Sequence, residues 1–220
     1  MSIEVIYGLS ALFGYFVGSI PFGLILTRMA GYGDIRKIGS GNIGATNVLR
    51  TGNKWLALAT VLCDAFKAGF AAVVAGSLVK NSAPDVAVLA SLVAGFSGVI
   101  GHNFPVWLGF KGGKGVASAF GFILVTCWPV AVVALFIWLA MAFTFKYSSL
   151  SALTAAAFVP FISYYLAPSI DYTYVYSVMV VLVVARHHAN IKRLIKGEES
   201  KIKLKKQEKF YQLQEDLLNK

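Results

Sequence analysis

Gly115-Val116-Ala117-Ser118-Ala119-Phe120-Gly121-Phe122-Ile123-Leu124-Val125-Thr126-Cys127-Trp128-Pro129-Val130, running on without a charge to Phe145, is the stretch on which the fold turns. Its 31 residues are too many for one membrane span and few for two, since a bilayer core takes about 20 residues of helix. Pro129, after Trp128, marks a possible turn between two short helices. The rest of the chain decides the matter. Of 220 residues, 57% are hydrophobic and 14% charged, with a mean hydropathy of +0.69. That composition belongs to a polytopic membrane protein and not to a soluble globular one.

Other apolar runs are Val5 to Thr27, Trp55 to Val79, Val86 to about Phe110, Tyr147 to Leu166 and Tyr172 to Ala185. The first lacks the basic flank of a cleaved signal and is long enough to span, so it is read as a retained helix. Were Gly115–Phe145 one span, Lys111 and Lys114 would face the side opposite Lys146, and the basic C-terminal segment would join Lys80 outside. Two spans remove the conflict. Arg28, Arg36, Lys37, Arg50, Lys54, Lys111, Lys114, Lys146 and all from Arg186 onward then face the cytoplasm, leaving Lys80 outside with Glu4, Asp85 and Asp171. The expectation is an all-α polytopic membrane protein of seven transmembrane helices, N-terminus outside and C-terminus cytoplasmic. Residues 1–198 form a single membrane domain, and residues 199–220 form a basic cytoplasmic tail. Span four, from about Gly115 to Cys127, would be only ~20 Å long, which is tolerable if it starts inside a polar site.

With this topology every polar, glycine-rich segment falls on one face. Gly39-Ser40-Gly41-Asn42-Ile43-Gly44-Ala45-Thr46-Asn47, closed by Arg50, joins the first two long apolar runs. Closely spaced glycines let backbone N–H groups turn toward one point, a natural anion cradle. Gly112-Gly113-Lys114-Gly115 opens span four, so helix N-terminal N–H groups and one ammonium can meet a phosphoryl group together. It is not a Walker loop, because Gly115 follows Lys114 where Ser or Thr is required. Arg50 and Lys114 can hold phosphate oxygens by charge-assisted hydrogen bonds, whereas Lys54 and Lys111 read as interfacial anchors. The corner Lys146-Tyr147-Ser148-Ser149 and the run Arg186-His187-His188-Ala189-Asn190 complete the set. His187 and Asn190, three apart, share a face at the end of the last span, where Asn190 can orient an alcohol and His187 accept its proton.

Asp64 and Lys67 are costly inside a span unless paired, and their spacing pairs them. His102 is read as tying the glycine loop down. Glu198 and Glu199 look too exposed to act as an acid–base pair. No Ser-His-Asp arrangement emerges, three histidines with two adjacent make no metal site, and no cofactor is expected. Cys63 and Cys127 lie in apolar runs and read as small buried hydrophobes. In the tail, Phe210, Leu213, Leu217 and Leu218 fall near helical spacing, consistent with a surface helix on anionic lipid or a solvated basic tail. The net charge of +10 concentrates on the membrane-facing side, which argues against nucleic acid as a partner.

Three motifs now stand in order: Gly39-Ser40-Gly41-Asn42-x-Gly44-Ala45-Thr46-Asn47-x-x-Arg50; Gly101-His102-x-Phe104-Pro105 with Lys111-Gly112-Gly113-Lys114-Gly115-Val116-Ala117; and Arg186-His187-x-x-Asn190-Ile191-x-Arg193-Leu194 with Gly197-x-Glu199. From about Gly18 to Lys201 the chain closely resembles the bacterial acyl-phosphate:glycerol-3-phosphate acyltransferases, with His188 and Glu198 departing from the expected Arg and Thr. The resemblance implies a seven-helix inner-membrane enzyme with a cytoplasmic active site. It would move a fatty acyl group from acyl phosphate to the 1-hydroxyl of sn-glycerol 3-phosphate. The products would be lysophosphatidic acid and phosphate, at the first step of phospholipid synthesis. It also implies a functional link to the enzyme that makes acyl phosphate. The loop of Ser40, Gly41, Asn42, Gly44, Thr46 and Asn47 would cradle one phosphate. Arg50, Gly112, Gly113, Lys114, Ser149, His187 and Asn190 would hold glycerol 3-phosphate and the developing charge, with Lys114, His187 and Asn190 catalytic. Asp64, Lys67, His102 and Glu199 would be structural. The hydroxyl proton goes to His187 or to the departing phosphate, with no acyl-enzyme. No His in the chain is followed five residues later by Asp, so the box of the acyl-CoA and acyl-carrier-protein acyltransferases is missing. A phosphate-ester transporter, the rival reading, should show paired repeats and midplane polar sites, and neither is found.

Overall fold

A computed structural model describes residues 1–202. Ten α-helices follow one another among them: α1 Ile3–Gly18, α2 Phe22–Met29, α3 Ala45–Val48, α4 Lys54–Lys80, α5 Pro84–Asn103, α6 Val116–Thr126, α7 Trp128–Phe145, α8 Ser148–Leu166, α9 Ile170–Arg186 and α10 His188–Ile195. Five helical stretches are long and apolar enough to cross a membrane: Ile3–Met29, Lys54–Lys80, Pro84–Leu108, Trp128–Phe145 and Ser148–Leu166. The surface helix expected around Phe210, Leu213, Leu217 and Leu218 lies outside the described residues.

The decisive stretch divides into two helices, as expected. α6 ends at Thr126, α7 begins at Trp128, and Cys127 (φ −154°, ψ 79°) alone joins them, with Pro129 in the first turn of α7. A helix as short as α6 is tolerable because much of it packs against protein: Phe122 is fully buried, and its ring meets that of Tyr176 edge-on at 5.6 Å. The main core gathers Ala68 and Ala72 of α4, Leu92 and Val99 of α5, Phe122 of α6 and Met179 of α9. Trp55, Phe136, Phe143 and Tyr165 point outward from the bundle and are largely exposed. In a membrane that apolar exterior meets lipid, so helix association depends on close packing. Gly14 and Gly18 of α1 lie directly on the backbones of Ala94 and Gly98 of α5, leaving no room for a side chain.

The first span is a correction to the continuous helix expected from Val5 to Thr27. Pro21 interrupts it, and α1 and α2 are separated by Ser19-Ile20-Pro21. A proline removes a donor and leaves a carbonyl without a partner, which is costly away from water. At this break the Ile20 carbonyl accepts both the Phe22 N–H at 3.1 Å and the buried Lys67 ammonium of α4 at 2.9 Å, and that ammonium lies 3.0 Å from Asp64 Oδ1. The intramembrane charges thus pair with each other and also seal the break in the neighbouring helix.

Candidate active site

The segment before α4 is organised by Asn47, which is 2% exposed. Its amide nitrogen donates to the carbonyls of Ile35 (2.9 Å), Ile38 (3.0 Å) and Asn42 (2.9 Å). Its oxygen accepts from the Ser40 N–H at 3.1 Å and from Arg50 Nη1 at 3.3 Å. With donors and acceptor all engaged, Asn47 shapes the loop and does not itself face a ligand. The glycine amides are committed in the same way: Gly41 N–H goes to the Ile38 carbonyl and Gly44 N–H to Asn42 Oδ1. These glycine amides are therefore turned into the loop and not outward as expected, while Ser40 and Thr46 are exposed residues. Gly39, at φ 56°, is needed at its position because Arg50 and the Asn47 oxygen fill the space a side chain would take. Arg50 is held across that glycine.

The second loop departs from expectation similarly. Gly112 and Gly113 turn their N–H groups back to the carbonyls of Asn103 (3.2 Å) and His102 (3.0 Å). Their carbonyls accept from Arg186 Nη2 and Nε at 3.1 Å each. The His102 ring, 4% exposed, lies directly beneath Gly113 and 3.5 Å from Asp64 Oδ1. So this loop is clamped by His102 from below and by Arg186 from the end of α9, and what it presents is the first turn of α6 and Lys114.

Lys114 donates to Asn190 Oδ1 at 2.5 Å. Asn190 in turn donates to Glu199 Oε1 at 2.6 Å, and Ser149 donates to the same oxygen at 2.7 Å. Arg193 donates to Glu199 Oε2 at 2.6 Å. Glu199, read from the sequence as exposed, is instead 7% exposed at its side chain. Gly197 (φ 71°) ends α10 and reverses the chain, which folds the carboxylate back. Burial pushes the Glu199 carboxyl up, but hydrogen bonds from Ser149, Asn190 and Arg193 outweigh it and hold the group below the ordinary carboxylate range. Burial, reinforced by Arg193, Arg50 and Arg186 and opposed by Glu199, brings Lys114 down to about 8. Three arginines and one carboxylate therefore lie close enough to Lys114 to act on its charge, Arg193 alone pairing with Glu199 directly, which leaves an excess of positive charge suited to anions. Arg186 and Arg193 escaped the sequence reading as site residues, although both stand in the third motif.

His187 is 2% exposed and caps the end of α9. Its Nδ1 lies 2.7 Å from the Val183 carbonyl, a contact that requires the proton on Nδ1 and leaves the Nε2 lone pair free. Burial lowers its pKa, opposed by the Val183 bond and assisted by Lys114, so the ring stays neutral. His188 is exposed and faces away.

Beside this polar cluster lies a cavity of about 230 Å³ whose apolar walls include Leu49, Ala57, Leu58, Val61 and Trp138. The hydroxyls of Thr46 and Ser148, 3.3 Å apart, stand at its polar edge. Thr46, in the first glycine-rich segment, thus borders the apolar slot.

Removing Glu199 tests the network. Glu199→Ala strands Arg193, Asn190 and Ser149 and is expected to destabilise the fold by about 1–3 kcal/mol. Glu198→Ala, at an exposed residue, should change almost nothing. Thermal unfolding in detergent compares the two.

Residues 8–197 match the family model described as glycerol-3-phosphate acyltransferase. A glycerol-3-phosphate acyltransferase of Rhodospirillum rubrum is 54% identical over 203 residues, covering 92% of this chain and 94% of the relative. One of Mesorhizobium japonicum is 58% identical over 199 residues, covering 89% and 97%. Among solved structures, the integral membrane glycerol 3-phosphate acyltransferase PlsY in its glycerol 3-phosphate form superposes with a TM-score of 0.80 at 31% identity, covering 90% of this chain and 96% of that one. Its lysophosphatidic acid form gives 0.79 at 30% identity with the same coverage.

Proposed function

The chain belongs to the glycerol-3-phosphate acyltransferase family, and from that premise we propose that it transfers a fatty acyl group from acyl phosphate to the 1-hydroxyl of sn-glycerol 3-phosphate. The products are lysophosphatidic acid and inorganic phosphate. The observation that carries the reading is an excess of cations around Lys114 with the neutral His187 beside it, joined to an apolar slot through Arg50, Ser200 and Ile202.

Two anions must approach each other, and Arg50, Lys114, Arg186 and Arg193 offset their repulsion. Arg50 and Lys114 hold the glycerol phosphate, with Ser149 and Asn190 positioned by Glu199. Ser40 and Thr46 hold the donor's phosphate. The 1-hydroxyl oxygen attacks the acyl carbonyl carbon, its proton passes to His187 Nε2, and the bond from carbonyl carbon to phosphate oxygen breaks. Phosphate then leaves and takes the proton from His187. Acyl phosphate is a mixed anhydride with a good leaving group, so positioning and charge stabilisation carry most of the rate and no acyl-enzyme is needed. The donor's chain enters the slot lined by Leu58, Val61 and Trp138. The lack of a His-x-x-x-x-Asp box favours acyl phosphate over acyl-CoA or acyl carrier protein, which makes the protein dependent on an enzyme that supplies acyl phosphate.

The same reading places the chain in a bacterial inner membrane with seven spans: α1 with α2, then α4 to α9 in turn. The N-terminus is outside and the site lies on the cytoplasmic face, as does the basic segment of residues 199–220, whose first residues, Glu199 to Ile202, fold back onto the site. Support comes from the distribution of Lys and Arg. Purified protein supplied with glycerol 3-phosphate and one donor at a time tests the function. Lysophosphatidic acid is expected from acyl phosphate and not from acyl-CoA, and equal use of acyl-CoA would contradict the donor assignment. Single cysteines placed at Lys37 and Lys80 test the orientation. The reading requires that only the one at residue 80 is labelled by an impermeant reagent from the periplasmic side.

A further inference from the structure

The family match ends at residue 197, yet the next five residues reach back into the site. Glu199 anchors on Ser149, Asn190 and Arg193, as described above. Ser200 Oγ accepts from Arg50 Nη2 at 2.8 Å. The Lys201 ammonium stands 5.6 Å from the centre of the Tyr147 ring. The Ile202 N–H donates to the Lys146 carbonyl at 2.7 Å, and Ile202 lines the apolar cavity opposite α4. This short strap thus runs from the cation cluster to the slot.

We propose that the strap forms the wall of the donor pocket next to the reacting carbonyl, with Ile202 in contact with the first methylenes of the acyl chain, so that Ile202 is a specificity-determining residue for the donor. The inference rests on the function proposed above. Two residues of extended chain span at most about 7 Å, so Arg50, held by Ser200, and the slot, lined by Ile202, are separated by little more than the head of an acyl phosphate. The cavity, at about 230 Å³, is smaller than the ~300–1,000 Å³ usual for an enclosed ligand site. It therefore admits only the part of the chain nearest the carbonyl, while the remainder lies among lipids. That part is where branching or bulk meets Ile202.

The test is steady-state kinetics of the full-length protein with straight-chain and 3-methyl-branched acyl phosphates. Both variants below keep the backbone bond to Lys146, so the strap stays attached. Ile202→Ala is expected to improve use of the branched donor relative to the straight one by roughly tenfold, and Ile202→Trp to raise the straight donor's KM by a similar factor, the range that one or two methylenes in a pocket command. The KM for glycerol 3-phosphate should stay within about twofold of wild type, since one contact of this kind is not made to that substrate. Wild-type values for both donors in both variants, or a change confined to the glycerol 3-phosphate KM, would overturn the inference while leaving the enzyme's activity intact. Failure of the wild-type protein to acylate glycerol 3-phosphate from any acyl phosphate would instead overturn the function on which it rests.

Discussion

Replacing His187 with glutamine is expected to lower kcat by roughly 10²–10⁴-fold, the range a positioned general base supplies. Glutamine fills similar space and can keep a bond to the Val183 carbonyl, so the change removes basicity more than shape. In the wild type, Nδ1 is committed to Val183 at 2.7 Å, which leaves Nε2 as the proton acceptor. The sign of the pH dependence follows from burial. With its pKa lowered from the ordinary 6.5, His187 is neutral and competent at pH 7, and activity is lost only as pH falls below 6.5. That acid limb should vanish in His187→Gln, whose residual rate should be flat over the same interval. Full turnover in the variant would exclude the histidine route and leave the departing phosphate as the base.

Lys114→Ala should cost about 10²–10³-fold in kcat/KM, as loss of a single preorganised donor to developing charge does elsewhere. In the proposed mechanism Lys114 meets the substrates' anions, and Asn190 fixes its ammonium. Its protonated form is the useful one, and burial brings its pKa down to about 8. In the free enzyme, kcat/KM should therefore decline as pH rises through about 8, well before an ordinary lysine would lose its proton. Bound phosphate favours the charged form, so kcat, which reports on the complex, should hold to higher pH. Lys114→Arg keeps a charge that does not titrate and should retain part of the activity without the limb near 8. A Lys114→Arg profile with an unchanged alkaline limb would assign that limb to another group.

The division of Gly115–Phe145 was legible from Pro129 and from the expectation that Lys114 and Lys146 share a side, and α6 and α7 do part at Cys127. The break between α1 and α2 was less so. Pro21 was visible, but not that Lys67 of α4, 47 residues away, would donate to the Ile20 carbonyl at the break. Sequence spacing could pair Lys67 with Asp64 and could not show this second partner. In the site, residue types announced phosphate chemistry, whereas the division of labour was hidden. Asn47 and the amides of Gly41, Gly44, Gly112 and Gly113 serve the loops' own turns, because a short loop must satisfy its own N–H groups before it offers any. Glu199 seemed exposed because only its neighbours in sequence were in view. Gly197 was the available signal that the chain turns back after α10.

Direct transfer from acyl phosphate to glycerol 3-phosphate at one cationic site is what the proposed mechanism requires. The most direct measurement follows inorganic phosphate and lysophosphatidic acid together, in one reaction of the purified protein with both substrates, and examines the protein for bound acyl groups. The account predicts equal molar release of the two products, dependence on both substrates, and no acylated protein. Phosphate without lysophosphatidic acid, or an acyl group trapped on a serine, would contradict it.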